Sequence, residues 1–142
     1  MQVQESHSKW LKKPSAPDGA RANLCEADLT GAEFNMAMLA GANFSHAILH
    51  NAKLQKTNLT RANFKKAQLQ DASLDEAMLH MAIFQESNLD GASLEGAMLF
   101  QANLRGVDLS KVKGLTQPQI DMACTDKATK LPPRLSLPKP CS

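Results

Sequence analysis

With 142 residues and a formal net charge of +2, the chain is one domain's worth of protein, and its charge alone predicts neither nucleic-acid nor membrane binding. Tyrosine is absent and aromatics make up only 4%, while alanine and leucine abound, which points to a core of small repeated units. No apolar run is long enough for a secretory leader or a membrane span, so a cytoplasmic location is the expectation.

Residues 1–21 come first. Val3, His7, Trp10 and Leu11 follow an i, i+4, i+7, i+8 spacing that predicts a short amphipathic helix, and Pro14 and Pro17 then break it. Trp10 and Leu11 are read as an N-terminal cap that lids Leu24 and Leu29.

Residues 22–111 are eighteen consecutive units of five. The third residue of every unit, its centre, is Leu or Phe, and the first is Ala in fifteen units, with Thr57, Ser87 and Val107 as the exceptions. On a helix, positions five apart rotate by about 140°, so the centres would spiral round the whole surface. On a straight strand the next Ala, three residues beyond a centre, would point outward. A chain that keeps both columns inside turns a corner once per unit. Phe44, Phe64 and Phe84 lie twenty residues apart, which in a four-sided coil stacks them in one interior column. Gly31, Gly41, Gly91, Gly96 and Gly106 all end their units, where a turn calls for positive φ.

In residues 112–142, Leu115-Thr116-Gln117-Pro118-Gln119-Ile120 reads as a helix start: Thr116 and Gln119 form a capping box, Leu115 and Ile120 a hydrophobic staple. The helix is expected to run to about Thr125 and to lay Ile120 and Ala123 on the last coil. Leu131 to Ser142 contains four prolines and reads as an extended tail, with Leu135 and Leu137 spaced to run along the solenoid wall. Of the three cysteines, Cys25, Cys124 and Cys141, the last two are able to pair in an oxidising compartment, and thiols are the favoured expectation.

The triplets Ala22-Asn23-Leu24, Ala27-Asp28-Leu29 and Ala42-Asn43-Phe44 resemble the A(D/N)LXX unit of the pentapeptide-repeat family. The resemblance covers 22–111 and implies an all-β solenoid, a right-handed quadrilateral β-helix of about four and a half coils with short helical caps at both ends. Coils spaced about 4.8 Å apart make a tower roughly 20 Å tall. The stretch from Gly114 to Pro133 resembles a C-terminal cap of bacterial members and implies a bacterial origin.

No catalytic residue, cofactor or metal ligand set is expected. His46 and His50 diverge around a corner and His80 lies on another side, so solvent-facing histidines are the reading. Asn23, Asp28, Asn43, Asn58 and Asn63 are read as bonding nearby backbone at the turns. Lys53, Lys56, Arg61, Lys65 and Lys66 precede an acidic set, Asp71, Asp75, Glu76, Glu86, Asp90 and Glu95. The twenty-residue register sets Lys56 over Glu76 and Lys66 over Glu86, exposed pairs contributing at most about 1 kcal/mol each.

The side whose centres are Leu39, Leu59, Leu79 and Leu99 carries apolar residues in outward positions: Met38, Met78, Met81, Met98 and Phe100, with Met36 at the preceding corner. Either the C-terminal tail covers this stripe or it is an intermolecular interface. The leading function is therefore a non-enzymatic protein–protein interaction module or structural subunit, with a protein partner or a homodimer and no membrane insertion or small-molecule substrate. The family resemblance also implies an alternative, a DNA mimic that modulates a type II topoisomerase. Ten acids against seven bases in 22–111 leave a net of only −3 for that role.

Overall fold

Five backbone N–H groups must be satisfied in every unit, and the way this happens dictates the architecture. In the computed structural model, which describes residues 22–139 and Cys141, unit 42–46 shows the scheme. Ala42 N–H donates to the Leu39 carbonyl (3.0 Å), closing the corner, and Asn43 N–H to Ala22 of the preceding coil (2.8 Å). Phe44 and His46 donate to Asn63 (2.7 Å) and Lys65 (2.9 Å) of the following coil. The last donor, Ser45 N–H, goes to the Asn43 side-chain oxygen at 2.9 Å. No N–H of the unit is left unpaired.

The corner is a type II turn, whose third position requires positive φ. That position is the fifth residue of the unit, with φ from 56° at Lys56 and Gln101 to 77° at Gly91. Glycine fills only some corners; Glu26, Met36, Lys66, Glu86 and eight others hold the same conformation with a side chain present. Each such residue carries a cost of about 1–2 kcal/mol, which the ladder bonds on either side offset.

Successive coils pair in parallel at a spacing of twenty: Asn23 with Asn43, Asn43 with Asn63, Met38 with Asn58, Met78 with Met98. The chain therefore passes four faces per coil. Face one holds units 22–26, 42–46, 62–66, 82–86 and 102–106; faces two, three and four begin at 27, 32 and 37.

Centres and first residues fill the interior. Phe44 and Phe64 stack with centroids 4.9 Å apart and planes 4° from parallel, and Phe64 and Phe84 repeat this at 5.0 Å and 5°. Phe34, on the opposite face, meets Phe44 edge-on at 6.1 Å. Thr57, in an alanine position, is fully buried and donates its hydroxyl to the Phe34 carbonyl at 2.8 Å, so the extra polar group is paired.

Pairing continues past the repeat's sequence register, at Ser93 with Lys113, Asn103 with Cys124 and Asp108 with Lys130. Between them α1, Gln117–Met122, replaces the next rung of face four. Leu115 and Ile120 are buried. The Gln119 side-chain Oε1 accepts Thr116 N–H (2.8 Å), and its Nε2 donates to the Leu94 (2.8 Å) and Ala97 (2.9 Å) backbone carbonyls of the coil above.

Three expectations change. The helix ends at Met122 and not near Thr125, because Ala123 is extended and Cys124 returns to the ladder, donating to Ala102 and accepting from Leu104. Cys124 and Cys141 form a disulfide where thiols were expected, since the tail's return brings their Cα atoms to 4.8 Å. The tail does not run along the wall: Leu131 and Leu135 pack on the core, Arg134 donates to the Leu115 carbonyl and Ser136 N–H to Gln117. The expected N-terminal cap, Trp10 and Leu11 included, lies outside the described residues.

Candidate interaction surface on face four

Face four differs from the other three in charge. Its units hold one charged residue, Arg61, against five on face one, five on face two and six on face three. Lys56, at the neighbouring corner, stands 3.9 Å from Glu76. Among the described residues Lys66 forms no such pair with Glu86. Lys56 and Glu76 hold the same kind of corner positions and do approach, so the register permits such exposed pairs without enforcing them.

The second-position column of face four runs Met38, Asn58, Met78, Met98 through consecutive bridges. Met38 and Met98 are each 49% exposed, Phe100 46%, and Met36 at the corner 71%. Met78 is also exposed and Met81 half-buried. The rung of Asn58, Thr60 and Arg61 divides this stripe. Met36 and Met38 lie above it; Met78, Met81, Met98 and Phe100 lie below.

Local bonding does not favour methionine in this column. Where Asn or Asp stands at the second position, its side chain takes the N–H two residues on, as Asn58 does from Thr60 at 3.1 Å and Asn103 from Arg105 at 3.2 Å. Met38, Met78 and Met98 offer no such acceptor to Ala40, His80 and Phe100.

The lower cluster runs on into the cap. His80, Met98, Phe100, Pro118 and Met122 are among the residues around an open, largely apolar cavity of about 420 Å³ between face four and α1. The rings of His80 and Phe100 meet edge-on at 6.2 Å and 72°. Met122 is 58% exposed, and it escaped the sequence reading because it lies outside the units of five. It stands 24 residues after Met98 and 22 after Phe100, out of the twenty-residue register, so the period gave no signal for it.

The other described histidines stay apart from this cluster, His46 exposed at a corner and His50 bonded to Gln68 at 3.1 Å. Three aspartates are held below the usual carboxylate range: Asp28 by the Thr30 hydroxyl and N–H, and Asp108 by those of Ser110. In Asp126 desolvation raises the value, but the N–H groups of Gly106 and Ala128 and the Thr129 hydroxyl outweigh it. All three stabilise turns. No helix of the described residues is long and apolar enough to cross a membrane.

The description "pentapeptide repeat region" matches residues 27–113, more than half of the chain. The chain belongs to the pentapeptide-repeat family. Among solved structures, this family member is similar to the pentapeptide repeat protein Rfr23 from the cyanobacterium Cyanothece 51142, with 23% identity over 90% of this chain and 99% of that one and a TM-score of 0.65. It is also similar to the pentapeptide repeat protein alr5209 from Nostoc PCC 7120, with 23% identity, 92% and 93% coverage and a TM-score of 0.62. At that identity the likeness concerns the fold. No curated protein matches the chain.

Proposed function

We propose that this pentapeptide-repeat protein acts without catalysis, as a rigid protein–protein interaction module or structural subunit that docks a protein partner or a second copy on face four. In this reading residues 22–111 form a right-handed coil of about four and a half turns that presents the surface, and residues 1–21 and 112–142 close its ends. The observation that carries it is the contrast between faces: one charge on face four, five or six on each of the others, and methionines and a phenylalanine exposed in the space this leaves. Methionine suits such a surface because its flexible thioether repacks against different partners. The ladder behind it is continuous, so the surface is held with little conformational freedom to lose on binding. The C-terminal tail leaves the surface open, since Leu135 packs against the core and Met98 and Phe100 remain exposed.

The reading holds whether the protein works in the cytoplasm or in an oxidising compartment; the Cys124–Cys141 bond favours the latter.

The test replaces Met78 and Phe100 with glutamate, which charges the surface without entering the interior. Sedimentation of the purified protein reads self-association, and capture from the native host followed by mass spectrometry reads a partner. Loss of association with unchanged circular dichroism is the expected result. Equal association of wild type and variant would sink the proposal.

A further inference from the structure

The cavity beside α1 has a chemistry that apolar docking does not use. An imidazole, that of His80, and two thioethers, those of Met98 and Met122, line the same space, with the Phe100 ring beside them. Among the described residues neither His80 ring nitrogen has a hydrogen-bond partner, and the ring is half-buried. Met78 pairs directly with Met98 in the ladder and sets a third thioether on the adjoining rung.

Thioether sulfur and neutral imidazole are soft or borderline donors with no formal charge. Such a set selects Cu(I) over Mg²⁺, Ca²⁺ and Mn²⁺, which want carboxylate and carbonyl oxygens. No carboxylate lines the cavity, and face four has only Arg61 among its charges, so little there attracts a hard divalent ion. A monovalent cation among neutral donors in an apolar hollow matches the surroundings. Methionine has three rotatable side-chain bonds, so the sulfurs on the ladder and on α1 are adaptable donors at the shared cavity.

We propose that His80, Met98 and Met122 form a binding site for one soft monovalent metal ion, Cu(I), with Ag(I) as its redox-inert probe. The site is built by the fold: His80 and Met98 come from successive rungs of face four and Met122 from the helix that replaces the next rung. The sequence reading compared histidines only with one another and so had no reason to place a metal here.

The experiment titrates Ag(I) nitrate, in chloride-free buffer, into full-length protein carrying Cys25→Ser, which removes the exposed free thiol that would otherwise compete. Calorimetry reads stoichiometry and affinity, and methionine methyl-¹³C resonances read which sulfurs respond. One equivalent is expected to bind, shifting the Met98 and Met122 methyls while Met36 and Met38 stay in place. Met98→Leu/Met122→Leu, which keeps shape and apolarity, should weaken binding at least tenfold, and His80→Gln should weaken it as well. Cu(I) held reduced by ascorbate should give the same stoichiometry.

Three results would overturn the site: no binding by the Cys25→Ser protein, unchanged affinity in the double leucine variant, or equal response of all methionine methyls. The Ag(I) titration reads the metal site whether or not the protein associates, and sedimentation in metal-free buffer reads the association proposed above, so the two proposals fail separately.

Discussion

The phenylalanine column makes the four-sided register measurable. Phe64 is wholly buried and stacked on Phe44 at 4.9 Å and on Phe84 at 5.0 Å. Truncation to alanine removes a ring from a closed column, and Phe64→Ala should cost about 3–5 kcal/mol, a large part of a domain stability of roughly 5–15 kcal/mol. Phe64→Leu restores the residue most units carry and should cost less. The sharper measurement is a double-mutant cycle. Stacked rings are worth about 0.5–1.5 kcal/mol beyond their buried area, so Phe44→Leu and Phe64→Leu should show a coupling of about 1 kcal/mol. Phe44 and Phe84, with Phe64 between them, should be additive to within about 0.5 kcal/mol. Urea denaturation followed by far-ultraviolet circular dichroism gives the four stabilities of each cycle. Equal coupling in the two cycles would refute the stacking order, and with it the assignment of twenty residues to one coil.

Gly114→Ala should be far more damaging than Gly31→Ala, although both have positive φ. A Cβ at Gly114 would lie 2.9 Å from Glu95 backbone atoms, whereas at Gly31 nothing stands within 4 Å. Thermal melts should show a loss of about 1 kcal/mol at Gly31 and more than twice that at Gly114. Acid should weaken the fold through Asp28 and Asp108, whose values lie below the ordinary 3.8. A depressed folded-state value means that the stabilisation is complete above the unfolded value and is lost as pH falls through the folded one. Asp28→Asn/Asp108→Asn keeps the accepting oxygens and should flatten the stability profile below pH 3.8; an unchanged profile would count against these turns as its source. Thiol titration under denaturing, non-reducing conditions should find one free cysteine, Cys25, and three after reduction; three from the outset would contradict the Cys124–Cys141 bond.

The solenoid was legible in the chain itself because a period of five with two apolar positions has no solution on a helix or a flat strand. The phenylalanine spacing then selected four sides, and Asn or Asp before a centre announced the side-chain bond that completes each corner's hydrogen bonding. Other features depended on residues far apart in sequence. Positive φ at Met36, Lys66 and Glu86 is imposed by turn geometry and held by the ladder, so side-chain preference did not reveal it. The helix stops at Met122 because Cys124 has a ladder partner in Asn103. The tail crosses the end of the coil because the last core residues there need covering. The Met stripe and its division at Asn58 could be read from a twenty-residue register, but its junction with α1 could not. Met122 joins Met98 and His80 only after the chain leaves the repeat and folds back, and distance along the sequence carries no trace of that contact.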